Sequence, residues 1–244
     1  KAIARYLGAC FEDVTALHEP KPSRQLRMAS TARLAGRKSK EQLATLLAEA
    51  RRGIAAGIAT ETYVESNPFL YGFVDVLPEV FSQPHLLHVV RDPRTMIRSA
   101  LNFRSQRGLK WFLSTFWPNW IIKPELIEAD PPRTWAQMSH VERIAWYWAT
   151  VNRYIQQAAG NAQLATKRMK FEVLFDPSGT GIRKLADWLN LSERPGQLDI
   201  MLQEKVNASR SDEIDLWQDW SRENREFVYK HCGELMREYG YDVD

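Results

Sequence analysis

"HLLHVVRDPRTMIRSALNF", His85 to Phe103, is the stretch whose reading decides the fold. Its first six residues are an apolar run ending in two valines, which predicts a buried strand. The run stops at Arg91-Asp92-Pro93, where Asp92 suits a helix N-cap and Pro93 the first helical position. Helical spacing then resumes. A strand feeding directly into a helix is the unit of a parallel sheet, and ligands of such sheets sit beyond the carboxyl ends of the strands. Arg91 stands at that edge, beside the free N–H groups of the helix opened by Asp92, a setting suited to a phosphate dianion. Ser99 lies about two turns into the helix on the side shared with Thr95, where its hydroxyl adds a donor. The competing reading is structural, with Arg91 paired to a neighbouring carboxylate.

The same alternation extends outward. "KAIARYLGAC" carries a helical stripe, and "VTALHEP" is a short strand ended by Pro20 with Glu19 at its carboxyl edge. The basic segment "KPSRQLRMASTARLAGRKSK" reads as a solvated loop or as a rim attracting an anionic ligand. Residues 40 to 57 form an amphipathic helix ended near Gly57. "TYVESNP" is a second strand, "FLYGFVDVLPEVF" is helical, and "HLLHVV" is the third strand. Residues 107 to 138 break the rhythm as an irregular, Trp- and Pro-rich aromatic insert. "SHVERIAWYWATVNRYIQQAA" is a long helix with a capping box of Ser139 and Glu142. "KRMKFEVLF" is a fourth strand, "GIRKLADWLNL" a helix, and "SRENREFVYKHCGELMREYGY" a closing helix capped by Ser221. The expected architecture is one α/β domain over 1–244, a central parallel sheet flanked by helices.

Composition narrows the classes. Lys and Arg number 33 against 30 Asp and Glu, a net +3 too small to argue for nucleic-acid binding but compatible with a local anion site. Cys10 and Cys232 lie far apart, which suggests buried thiols in a reducing compartment rather than a disulfide framework. His, Cys and Asp show no metal-ligand spacing, so no metal is expected. No window reaches about 18 apolar residues, so no transmembrane segment is read. Oligomeric state is not legible.

"HVVRDPRTMIRS" resembles the 3′-phosphate-binding segment of PAPS-dependent sulfotransferases: a hydrophobic strand, Arg, Asn or Asp, Pro, and a serine eight residues after the arginine. The resemblance implies that Arg91 and Ser99 hold the 3′-phosphate of 3′-phosphoadenosine-5′-phosphosulfate (PAPS), with PAP as the product. "KFEVLFDPSGTGIRKLADWLNL" is similar to the family's later strand, turn and helix, with Phe171 in place of a usual tyrosine and offering an aromatic face to adenine. "EKVNASRS" occupies the place of the late basic loop, which makes Lys205, Asn207, Ser209 and Arg210 donor-site candidates. The implied fold is the P-loop NTPase-like sulfotransferase fold. The family's Gly-rich loop for the 5′-phosphosulfate is absent from residues 1–244, and the helical "KAIARYLGAC" looks like the segment that follows it. The first strand and loop are therefore expected before Lys1.

Sulfonate transfer needs a base and cations around an in-line displacement. By the resemblance, Glu19 is at the position of the glutamate base in carbohydrate-type members, and Glu65, at the end of "TYVE", is the second candidate. His18 is expected to point to the opposite face from Glu19. The acceptor is expected to be a hydroxyl of a saccharide, glycolipid or small natural product, met by the aromatic insert. The expected setting is the bacterial cytoplasm, or the Golgi lumen if a membrane anchor precedes Lys1. The alternatives are a degenerate sulfotransferase-like nucleotide- or partner-binding protein without catalysis, and a small-molecule kinase, for which neither a Walker lysine nor a Mg²⁺ carboxylate is evident.

Overall fold

The computed structural model describes residues 1–102, 120–203 and 216–243. It is an α/β structure whose strands among the described residues are β1 (Val14–His18), β2 (Thr62–Ser66), β3 (His85–Val90) and β4 (Ala165–Lys170). The helices are α1 (Ala2–Cys10), α2 (Ser23–Leu34), α3 (Lys40–Gly57), α4 (Leu77–Val80), α5 (Pro93–Asn102), α6 (Pro124–Ile127), α7 (His140–Asn161), α8 (Phe171–Leu174), α9 (Thr180–Trp188), α10 (Gln197–Gln203) and α11 (Arg222–Glu238).

The strands pair in parallel, but as two pairs: β1 with β2, Val14 opposite Thr62, and β3 with β4, His85 opposite Ala165. Among the described residues no ladder joins one pair to the other. Both pairs nevertheless pack on a common apolar cluster. Ala16 of β1, Val64 of β2, Leu87 and Val89 of β3 and Met169 of β4 meet Tyr6, Leu7 and Cys10 of α1 and Leu185 of α9 there. On other faces, Val90 joins Ile97 of α5, Trp148 of α7 and Cys232 of α11, while Leu86 packs with Ala158 and Ala159 of α7. The apolar residues of β3 are thus covered by helices on both sides, while His85 at its start is exposed and the buried His88 is satisfied by Asn152.

Helix starts follow local chemistry. Asp92 caps α5 by accepting the Arg94 N–H at 2.8 Å, and the Ser139–Glu142 capping box opens α7 as expected. Ser221 caps α11 through the Asn224 N–H.

Two readings are corrected. The basic segment after Glu19 is no loop: it forms α2, which buries Leu26, Ala29, Ser30 and Ala32 against α3 and the turn at Tyr71–Val76. That stripe is mostly small residues, so the surrounding cations hide it from hydropathy. "KRMKFEVLF" is not one strand, since it turns at Lys170 into the single-turn helix α8. Of the aromatic insert, residues 107–119 lie outside the described residues. In the remainder, Ile122 and Trp135 are buried with Tyr71 and Trp146, so this part is core.

Candidate functional site

Arg91 leaves β3 at its carboxyl end. Its carbonyl accepts the Trp148 indole N–H from α7 at 3.0 Å, and the preceding Val90 carbonyl accepts the Tyr241 hydroxyl at 3.2 Å. These two aromatic donors fix the strand end, and nothing in the sequence marks them as more than core residues. The Arg91 Nε donates to the Thr95 hydroxyl at 3.2 Å, and the guanidinium lies 4.8 Å above the Phe171 ring. The neighbouring carboxylate is already engaged: Asp92 pairs with Arg94 at 2.7 Å. Arg91 thus has no carboxylate partner among the described residues, which disfavours the structural reading of this arginine. Ser99 follows Thr95 by one turn on the same helical side, half-buried.

Phe171 serves Arg91 first. One face supports the guanidinium, and the ring leans on Phe175 at 4.8 Å. Its neighbour Glu172 accepts the Tyr241 hydroxyl at 3.0 Å, which ties α8 to the end of β3. Burial and the Glu172 carboxylate push the Tyr241 phenol far up, so it remains a donor. Lys205, Asn207, Ser209 and Arg210 lie outside the described residues.

Glu19 stands just past β1 at φ 46°, its N–H donating to the Ser66 carbonyl at 3.1 Å. The left-handed turn breaks the alternation of the strand, so His18 does not face away as expected. The His18 Nε2 lies 3.5 Å from Glu19 Oε1, and its Nδ1–H donates to the Ser66 carbonyl at 2.9 Å. The Glu19 carboxylate is about one-third exposed, and among the described residues the side chain it meets is His18. Arg27 of α2 feels the charge of Glu19. Its guanidinium is held between the rings of Phe69 and Trp120, 4.3 and 4.5 Å away, and burial draws its pKa down. Sequence reasoning missed Arg27 because it sat in a presumed loop among six other cations.

Glu65 is a different case, and its candidacy as a base is corrected. Arg51 grips it with two hydrogen bonds of 2.6 and 2.7 Å, and Tyr63 and Asn67 each donate at 2.9 Å. The pair is buried, with side-chain exposures of 3% and 10%. A carboxylate so fully satisfied is a structural anchor between α3 and β2, with no lone pair left for a substrate proton.

The two thiols take no part. Burial raises both, Cys232 to about 12, so neither supplies a thiolate near neutrality. Among the described residues no group of side chains has the makings of a metal site, and no helix is long and apolar enough to cross a membrane. No family model, curated protein or solved structure matches the chain.

Proposed function

We propose that this chain is a sulfotransferase that moves a sulfonate group from PAPS to a hydroxyl acceptor. The observation that carries this reading is Arg91: a cation seated on an aromatic ring at a strand's carboxyl edge, with its neighbouring carboxylate taken by Arg94. A guanidinium so placed, in line with the Thr95 and Ser99 hydroxyls, suits the 3′-phosphate that distinguishes this donor from ATP. The β1–β2 and β3–β4 pairs are then flanks of the central parallel sheet of a P-loop NTPase-like fold, a reading supported by the cluster they share beneath α1. No Gly-rich loop lies within residues 1–244, so the sulfonate end of the donor is assigned to no residue here.

Glu19 is the base in this scheme. It accepts the acceptor's hydroxyl proton as the oxygen–sulfur bond forms, while the bond from sulfur to the nucleotide's phosphate oxygen breaks and PAP leaves with that electron pair. Arg27, near Glu19 and partly desolvated, is the cation on this side of the cleft. Its positive charge stabilises the negative charge developing in transfer.

Calorimetry with 3′,5′-ADP and 5′-ADP tests the donor site. The expected outcome is tighter binding of 3′,5′-ADP, with the preference cut about tenfold or more in Arg91→Gln and roughly fivefold in Ser99→Ala. Equal affinities for the two nucleotides would overturn the assignment. Glu19→Gln is expected to remove turnover while leaving 3′,5′-ADP affinity unchanged; retained turnover rules Glu19 out as the base. Nucleotide binding without turnover in the unaltered chain would favour the non-catalytic alternative.

A further inference from the structure

A groove of about 1060 Å³ opens between α2 and α3. The helices run antiparallel, since the Lys21 carbonyl before α2 accepts from Arg51 near the end of α3 at 3.3 Å. The groove's floor is Met28, Ala29, Ala32 and Leu46, aliphatic side chains without an aromatic ring among them. Sugars are commonly met by ring faces, so a floor of this kind favours an alkyl chain. Along α2 the lining runs from Ser23 to Ala32, roughly 14 Å of helix.

Lys38 stands at the end where α2 passes to α3, and the other end is the more densely charged: Lys21 and Arg24 line it, with Arg24 also lying 5.4 Å from the Trp120 ring, and Glu49 stands on the α3 side. Two cations against one acid leave a net positive rim. That end is also next to the candidate base: Glu19 and Lys21 are two residues apart, at most about 7 Å of chain.

We propose that this groove binds a single-chain anionic amphiphile, its alkyl chain on the aliphatic floor and its charged head between Lys21 and Arg24. The inference rests on the sulfotransferase reading for its consequence, which is the acceptor class: a head group bearing both an anion and a hydroxyl is delivered to Glu19. The binding itself depends on the groove alone. The apolar floor supplies affinity that grows with chain length, and the rim selects charge.

Calorimetry of the full chain with octyl and decyl phosphate, below their micelle-forming concentrations, tests the proposal. Decyl phosphate is expected to bind about tenfold tighter than octyl phosphate. Inorganic phosphate and octyl maltoside are each expected to bind at least about tenfold more weakly than octyl phosphate. Lys21→Glu with Arg24→Glu is expected to weaken octyl phosphate about tenfold, and Glu49→Gln to tighten it about twofold. Leu46→Gln is expected to flatten the chain-length dependence, with circular dichroism confirming each variant's fold. The proposal is overturned by an affinity independent of chain length, by inorganic phosphate binding as well as octyl phosphate, or by indifference to the rim charges. It is equally overturned if monomeric alkyl phosphates fail while anionic phosphatidylglycerol vesicles bind through the same residues, which makes the groove a membrane-surface site. Loss of the 3′,5′-ADP preference with alkyl-phosphate binding intact removes the sulfotransferase reading and leaves the groove; the converse result removes the groove alone.

Discussion

Glu65 accepts hydrogen bonds from Arg51, Tyr63 and Asn67, whereas Glu19, at the end of the neighbouring strand, meets His18 at 3.5 Å and stays partly exposed. Two carboxylates of one residue type thus stand in opposite surroundings, one saturated with donors and one open to solvent. Removing one partner of a buried pair leaves the other charge uncompensated, at a cost of about 3–5 kcal/mol. Glu65→Gln is therefore expected to lower stability by about 3 kcal/mol in urea denaturation, since some of its hydrogen bonds survive. Glu19→Gln is expected to change stability by less than about 1 kcal/mol in the same measurement. Similar losses in both variants would contradict this contrast. Both residues were candidates in the sequence because each follows a strand-like pattern. Their difference was not legible there, because Arg51 lies in another element and its approach is a tertiary event.

At the scale of elements, the support for Arg91 rests on how closely α9 approaches α8. A Cβ built on Gly181 would lie 2.0 Å from the Val173 carbonyl oxygen and 2.6 Å from the Leu174 Cα, both rigid backbone atoms. Gly181→Ala must push α8 away, and with it Phe171, the ring beneath Arg91. We expect a stability loss of about 2 kcal/mol or more by thermal unfolding, together with weaker 3′,5′-ADP binding. Unaltered stability would show that α8 yields without cost. Elements with strong periodicity and caps were read correctly, α3 and α7 among them, because capping and amphipathic spacing are local properties. α2 was missed because its buried stripe of Ala29, Ser30 and Ala32 has little hydropathy contrast. The turn into α8 was missed because "FEVL" suits strand and helix alike.

At the scale of the whole molecule, acid is expected to act through one buried and one half-buried histidine. His88 of β3 donates from Nε2 to Asn152 of α7 at 2.7 Å, and burial lowers its pKa below the ordinary value of 6.5. His231, stacked on Phe227 at 4.1 Å, is lowered for the same reason, aided by Lys230 and Arg153. Each imidazole stays neutral in the fold but takes a proton readily once the chain unfolds. The unfolded state then binds more protons, so the stabilisation is present above about pH 6.5 and is lost as the pH falls below it. The midpoint of thermal unfolding should therefore drop between about pH 7 and 5, and His88→Gln should flatten part of that drop. An unchanged slope in the variant would remove His88 from this account.

The sequence by itself determined the parallel strands, the caps of α5, α7 and α11, and the placing of Arg91 at a strand's carboxyl edge, because these depend on residues close together along the chain. Tertiary structure alone decided that the strands form two pairs and that Phe171 lies beneath Arg91. It alone placed Arg51 on Glu65 and opened the groove between α2 and α3. The physical reason is common to all four: hydrogen bonds, ion pairs and ring contacts depend on angstrom-scale distances, which helix and strand periodicity leave open until distant elements pack together.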